Sequence, residues 1–366
     1  MASTETPDPW GSGQADQAGT SLETGSQPSL TSDPILKVNS LVKHFPLRQG
    51  IVIKRQVGAV QAVDGVNLQV YPGETVGVVG ESGCGKSTLA RLLIGLETPT
   101  GGSIELTGRE MVGSSGAKLK AMRRDVQMIF QDPYTSLNPR MTVGDIIAEP
   151  LEIHPDVVPK NKRTERVREL MSLVGLAPEH IDRYAHQFSG GQRQRIGIAR
   201  GLALNPKLLI CDEPVSALDV SVQAQVINLL QDLQNRLGIS LIFIAHDLSV
   251  VRHISHRVAV MYLGRIVELG EKEQVYNNPQ HPYTKALLSA VPNPDPSQRG
   301  KGNQIVLEGD PPSPANPPSG CRFRTRCWKA QSVCAEVDPG LEVTSSGAQA
   351  ACHFPGETPS RPGVAA

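Results

Sequence analysis

Apolar residues along this 366-residue chain come in short bursts that follow two different periods. Thr75-Val76-Gly77-Val78-Val79, Val126-Gln127-Met128-Ile129-Phe130, Leu208-Leu209-Ile210-Cys211 and Leu241-Ile242-Phe243-Ile244-Ala245 are apolar runs of strand length, and they predict strands buried in a sheet. Leu89, Leu92, Leu93 and Leu96, and later Ile196, Ile198, Ala199, Leu202 and Ala203, fall at helical spacing instead. Upstream, Leu36, Val38, Leu41 and Val42, then Val60, Ala62, Val63, Val66, Leu68 and Val70, read as β structure with a basic hairpin loop from Pro46 to Gly58. Ser103-Ile104-Glu105-Leu106 follows the break Pro99-Thr100-Gly101-Gly102, and residues 109 to 125 mix acids and bases as a surface segment does.

Residues 142 to 186 interrupt this α/β text with a largely helical insertion. Val143, Ile146 and Ile147 mark one face, and Val167, Leu170, Met171 and Val174 another. Pro150, Pro155 and Pro159 punctuate it, and Gly175 with Pro178 ends its second helix. Such an insertion serves either packing alone or a partner surface.

Residues 1 to 33 contain no Lys or Arg and are rich in Ser, Thr, Gly, Pro and Gln. They cannot bury enough apolar surface to offset the entropy of ordering, which predicts a disordered tail; Trp10 would centre any docking arm there, without a supporting motif. Lys+Arg 36 balance Asp+Glu 36, so no net field recruits nucleic acid or an anionic surface, and no nucleic-acid partner is expected. No run approaches the ~18 apolar residues that cross a bilayer, and the N-terminus lacks a secretory pattern, which predicts a cytosolic location. The six cysteines are too few for a disulfide scaffold, and that compartment would keep them reduced.

The sharpest chemistry lies at Gly80-Glu81-Ser82-Gly83-Cys84-Gly85-Lys86-Ser87-Thr88, between a strand run and a helix run. Glycine, four residues, then Gly-Lys-Ser is a P-loop. Small residues let backbone N–H groups close around an anion, and the helix N-terminus adds its positive pole. Lys86 supplies charge to the β- and γ-phosphates, and the Ser87 hydroxyl is placed for Mg²⁺. Cys84, near Lys86 and a helix start, either gains thiolate character or is simply a small residue tolerated in the loop; the latter reading is favoured. Phe45 is the candidate to stack on adenine, against the alternative of an ordinary hairpin aromatic. Gln131 closes its strand where an amide can reach Mg²⁺ or an attacking water, although a strand-end glutamine is usually just a solvated loop residue. Phe188-Ser189-Gly190-Gly191-Gln192 begins another helix and makes a second anion site by the same dipole logic.

At this second motif the chain resembles the ATP-binding subunits of ABC transporters, with Phe188 in place of the usual leucine. The resemblance covers residues 34 to 270. It implies a P-loop NTPase (RecA-like) α/β core with an antiparallel β subdomain, and a helical subdomain at about 132–190. Leu208 to Pro214 resembles a Walker B strand, so Asp212 is expected to hold Mg²⁺ through water and Glu213 to act as general base. Ser216-Ala217-Leu218-Asp219 resembles the D-loop that crosses a dimer interface. His246 matches the histidine that contacts the γ-phosphate; His253 and His256 carry no such expectation. The family places each ATP between one subunit's P-loop and the other's signature, and this chain has one set of motifs, so it needs a second ATPase subunit, identical or paralogous.

Phe130-Gln131-Asp132-Pro133-Tyr134-Thr135-Ser136-Leu137-Asn138-Pro139-Arg140, His281-Pro282-Tyr283-Thr284 and a cysteine-bearing tail narrow the resemblance to the oligopeptide and dipeptide importer ATPases. Glu213-Pro214-Val215-Ser216 leans toward the second of their two ATPase subunits, the one commonly labelled F. Nickel and glutathione importers share much of this pattern, and a soluble non-transport ABC-type ATPase acting on ribosomes or DNA is the other alternative, though such proteins usually carry two motif sets or long coiled-coil insertions. The family implies two transmembrane permease subunits, an extracytoplasmic peptide-binding protein, and a peripheral place on the cytoplasmic face of the membrane. In the extension from 271 to 366, a helical piece from Tyr283 to Ala290 precedes Cys321, Cys327, Cys334 and Cys352, with gaps of five, six and seventeen residues. Four thiolates suffice for a 4Fe-4S cluster or a zinc ion. A 4Fe-4S cluster, as some relatives bind, is the first expectation, with zinc and free cysteines as alternatives.

Overall fold

A computed structural model describes residues 32–49, 55–132, 136–291 and 304–356. The expected N-terminal tail with Trp10, the Pro133-Tyr134-Thr135 segment and the last residues of the extension lie outside them. β1 (Leu36–Gln49) and β2 (Arg55–Val70) form a long antiparallel hairpin. β3 (Thr75–Val79) leaves for a different sheet and leads into α1 (Lys86–Leu93). β4 (Gly101–Leu106) and β5 (Arg109–Glu110) return to the first sheet, whose order is β2-β1-β4-β5, antiparallel throughout.

The hairpin loop is shorter than the sequence suggests. Pro46 pairs with Ala59, Leu47 with Gly58 and Gln49 with Arg55, so most of the predicted loop is ladder. A proline at a strand edge costs only a donor that the ladder does not use. The P-loop helix is also shorter, because Gly95 takes the left-handed conformation at φ 69 and ends it. Leu96 therefore lies outside α1 and is 53% exposed.

α2 (Gly116–Asp125) and β6 (Val126–Ile129) precede the insertion, which is built on α3 (Val143–Ile153) and α4 (Arg163–Leu173). Pro150 sits inside α3 rather than ending it. Val143, Ile146, Ile147 and Leu151 are all buried on its inner face, and that packing overrides the lost hydrogen bond. α5 (Gly190–Leu202) leads to β7 (Leu208–Asp212), α6 (Val220–Leu237), β8 (Ser240–Ala245), α7 (Leu248–Ile254), β9 (Arg257–Tyr262) and β10 (Arg265–Glu271).

After α8 (Lys272–Asn277) and α9 (Pro282–Ser289), the extension adds α10 (Val333–Glu336), β11 (Glu342–Val343) and β12 (Gln349–Ala350). The second sheet runs β11-β12-β10-β9-β3-β8-β7-β6, with β9 through β6 parallel. Every residue of β3, β7 and β8 is buried, which explains why their sequences are apolar without alternation. In register, Val79 lies beside Ala245, and Asp212 beside Ile244. The loops after β3, β6, β7 and β8 thus open at one end of the sheet, where ligands bind in open α/β folds.

The extension packs into this same core. Glu268 of β10, fully buried, accepts the backbone N–H groups of Gln280 (2.7 Å) and His281 (2.8 Å) at the start of α9. Phe323 sits 5.3 Å from the Tyr262 ring and 5.5 Å from that of Tyr283. β12 pairs with β10. Its proline-rich composition reads as an appendage, yet its few aromatic and β-forming residues are the ones that dock.

Candidate functional site

The P-loop closes tightly against the hairpin. Gly85 has φ 111, and a Cβ there would meet the carbonyl oxygen of Ala62 at 2.0 Å. No other residue fits that position. Lys86 follows, buried, with Nζ donating to the carbonyls of Gly80 (2.7 Å) and Glu81 (3.0 Å). An ammonium held by neutral carbonyl oxygens is a charge ready for exchange onto phosphate.

Ser87 Oγ donates to Asp212 Oδ1 at 3.1 Å, bringing the P-loop and the end of β7 together. Burial pushes the Asp212 carboxyl above the usual carboxylate range, and the Ser87 hydrogen bond pulls it back down. The hydroxyl and carboxylate together suit Mg²⁺, which takes one or two protein oxygens and completes its shell with phosphate and water. Glu213, next in the chain, has φ 45, and its N–H donates to Ile244 at 2.9 Å. A non-glycine residue held in that region stores strain of the kind found at functional sites. Its Oε2 accepts the Gln131 amide at 2.8 Å and lies 3.8 Å from His246 Nδ1.

Ser82, Gly83, Gly85, Lys86, Ser87 and Thr88 line a cavity of about 370 Å³ together with Phe45, Gln131 and Glu213. Phe45 is half-buried, with Lys43 Nζ 4.8 Å from its ring centre. One further lining residue, Pro314 from the extension, was not legible in the sequence, because nothing in a proline-rich stretch marks which proline reaches the site. Gly80 and Glu81 stand behind the cavity and serve it through Lys86. The Cys84 thiol is buried 3.9 Å from Lys86 Nζ, and burial pushes it up more strongly than the ammonium pulls it down, so it is a packed thiol rather than a thiolate.

The second anion motif is elsewhere. Ser189 caps α5 by accepting the Gln192 N–H at 3.3 Å, while Gln192 Oε1 accepts the Ser189 N–H at 3.0 Å. Gly190 follows at the first helical position, and a Cβ on Gly191 would meet Val222 of α6 at 2.5 Å, so signature and D-loop share one surface. Ser189, Gln192 and Asp219 are exposed, and none of these residues lines the P-loop cavity.

Cys321, Cys327, Cys334 and Cys352 line one small cavity of about 10 Å³. Among the described residues, no group of three or more His, Cys, Asp or Glu forms a set that could hold a metal ion. The expected cluster site is therefore not assembled. Burial pushes Cys321 up to about 11 and raises Cys327 too, which favours their neutral thiols. The donor chemistry still fits a metal. Backbone N–H groups of Phe323 and Lys329 favour the thiolates of Cys321 and Cys327, and Phe354 N donates to Cys352 Sγ at 3.4 Å.

The arrangement is matched among solved structures. A dimeric ATP-binding cassette in a post-hydrolysis state with ADP and Pi superposes with TM-score 0.57 at 27% identity, over 65% of this chain and 98% of that one. cbiO1 from Clostridium perfringens, part of the ABC transporter complex cbiONQ, does so with TM-score 0.58 at 28% identity, over 67% and 92%. Fold and site together define a P-loop ATPase of the ATP-binding-cassette class. The family model described as ABC transporter matches residues 63–216, and that described as oligopeptide/dipeptide transporter, C-terminal region, matches residues 267–334.

Oligopeptide transport ATP-binding protein OppF of Escherichia coli is 58% identical over 84% of this chain and 92% of its own. AppF of Bacillus subtilis, also an oligopeptide transport ATP-binding protein, is 53% identical over 89% and 99%. Dipeptide transport ATP-binding protein DppF of Haemophilus influenzae is 52% identical over 87% and 96%. The chain belongs to the family of ATP-binding subunits of oligopeptide/dipeptide ABC transporters. It is an ATPase subunit that works with membrane partners, and among its described residues no helix is long and apolar enough to cross a membrane.

Proposed function

We propose that this chain hydrolyses ATP to power the import of short peptides through two transmembrane permease subunits. The observation that carries the reading is the convergence of Lys86, Ser87, Asp212, Gln131, Glu213 and His246 at one end of the parallel sheet, with an exposed signature on the same chain. The P-loop N–H groups and Lys86 hold the β- and γ-phosphates. Ser87, and Asp212 through water, would hold Mg²⁺, which when bound would supply neutralising charge to the phosphoryl oxygens. Glu213 takes the proton of the attacking water, while His246 and Gln131 hold that geometry. Phe45 stacks on the base.

The exposed Ser189, Gln192 and Asp219, with Gly190 and Gly191 between the first two, complete the site of a facing ATPase subunit, a paralogue in this family. ATP closes the pair because the γ-phosphate touches both halves, and its loss reopens them. A groove of about 990 Å³ runs from Gln131 and Asp212 to Pro150 and Ile153 of α3. Phe130 and Ile153 expose apolar surface there, 38% and 52% respectively, which suits a permease segment docking between core and insertion. Motion of the pair is passed on through this cleft.

The finer assignments are part of the same proposal. The chain sits peripherally on the cytoplasmic face, an extracytoplasmic binding protein delivers the peptide, and nickel or glutathione is the alternative cargo. Cys321, Cys327, Cys334 and Cys352 hold a 4Fe-4S cluster, with zinc as the alternative; the shared cavity and the N–H groups aimed at sulfur support this. The test is affinity purification from gently solubilised membranes under anaerobic conditions, with iron, sulfide and zinc analysis. Two permeases, a second ATPase and a peptide-binding protein are expected to co-purify with four iron atoms per chain. Recovery alone, or with ribosomes, overturns the transport reading, and metal-free protein overturns the cluster.

A further inference from the structure

The extension reaches the nucleotide cavity at two points. Pro314 is part of the cavity wall on the side of Phe45 and Val60, and its carbonyl accepts the N–H of Gln61 in β2 at 2.9 Å. Arg322 locks the same place, donating to Gln61 Oε1, the Leu263 carbonyl and Asp64. A few residues on, Arg326 directs one terminal nitrogen to both carboxylate oxygens of Glu81, at 3.2 and 3.0 Å. The Arg326 side chain is only 8% exposed. Tyr283 of α9 accepts the Glu81 N–H at 2.8 Å, and the Glu81 carbonyl accepts from Lys86 Nζ. The P-loop residue that positions Lys86 is therefore gripped at its side chain and at its backbone by the C-terminal part of the chain.

We propose that the C-terminal extension is a wall of the nucleotide site, with Pro314 bearing on the base or ribose and Arg326 acting as a positioning residue that sets the P-loop through Glu81. This rests on the reading of the cavity as an ATP site. The two residues act on different parts of the ligand. Pro314 lines the cavity with Phe45, its carbonyl bonded to Gln61 next to Val60, the ladder partner of Phe45. Arg326 never touches the nucleotide; it fixes the loop whose amides and lysine do. The Arg326 guanidinium is enclosed and also engages the Tyr262 hydroxyl, so its hold on the Glu81 carboxylate comes from a fixed position.

The test is equilibrium binding of ATP and of inorganic tripolyphosphate to the full chain, with melting temperature as the check on folding. Arg326→Ala should weaken both ligands by roughly 3- to 30-fold, and Arg326→Lys should recover part of that loss. Glu81→Gln should weaken both similarly from the loop side, leaving the extension untouched if Arg326→Ala folds poorly. In the Glu81→Gln background, Arg326→Ala should add nothing, which a general loosening would not reproduce. Pro314→Gly should weaken ATP several-fold and leave tripolyphosphate unchanged. ATP affinity indifferent to these changes, or additive losses at 81 and 326, overturns the inference while the ATP site stands. Absence of ATP binding by the unaltered chain, or ATP binding unaffected by Lys86→Ala, overturns both.

Discussion

Gln131 and Glu213 are joined by a 2.8 Å hydrogen bond across the mouth of the cavity, linking the end of β6 to the end of β7. The amide that faces the groove toward α3 thus holds the carboxylate assigned as base. Whatever shifts one shifts the other.

Replacing the base tests that assignment directly. Glu213→Gln keeps the side chain's shape and its bond to Gln131, through the remaining carbonyl oxygen, but removes the proton acceptor. ATP binding should change by less than about twofold, and hydrolysis should fall by about 10² to 10⁴. Equilibrium ATP binding and phosphate release, measured side by side, check it; turnover within a fewfold of the unaltered chain would remove Glu213 from the mechanism.

Gly85→Ala should damage fold and site together. The added Cβ meets backbone at 2.0 Å, and φ 111 strains any L-residue. A destabilisation on the order of 1–3 kcal/mol and a loss of ATP affinity are expected. Calorimetry with and without ATP separates the two; an unchanged melting temperature would show that the hairpin yields to the loop.

Acid should loosen the extension. Burial lowers His281 from its ordinary value to about 3, and Lys329 pushes in the same direction. Because the folded pKa lies below the unfolded one, the folded state binds fewer protons. Stability is then complete above about pH 6.5 and is lost progressively as pH falls toward 3, by about 2 kcal/mol between pH 7 and 5. Glu268, raised by burial, works the other way: its folded form takes a proton more readily, and it gains stability as pH falls. His281→Asn isolates the histidine. The drop in melting temperature from pH 7 to 5 should be smaller in that variant, and an equal drop would assign the effect elsewhere.

Thiol reactivity should sort the cysteines. Cys211 is fully enclosed in β7, and burial holds both it and Cys84 in the neutral form. Neither should react with a disulfide probe at pH 7.5 until the chain unfolds, whereas in metal-free protein Cys327 and Cys352, partly exposed, should react first. Rapid labelling of Cys84 in the native state, read by peptide mass, would contradict the packing described above.

The parallel core was legible in the sequence because strands buried on both faces leave no alternation to misread, and because P-loop, acid pair and strand-end glutamine each mark the end of such a strand. The place of Phe45 in the cavity wall was legible too, as its hairpin precedes the P-loop by a distance that lays it alongside. What the sequence hid was long-range. Pro314 and Arg326 reach the P-loop from more than two hundred residues away, and no local pattern distinguishes them from their neighbours. Pro150 and the length of the hairpin misled for the opposite reason, since local propensity there yields to packing and to ladder pairing.

β12 covers β10 with a two-residue ladder, Glu268 to Ala350 and Leu269 to Gln349, and leaves the two-residue β11 outermost. A bare β10 would offer a row of unpaired amides and carbonyls beside apolar side chains, an invitation to join another sheet. A short outer strand carrying Glu342 is a poor template for such pairing. The same tail that walls the nucleotide site therefore also guards the free subunit against sticking to its own kind before its partners arrive.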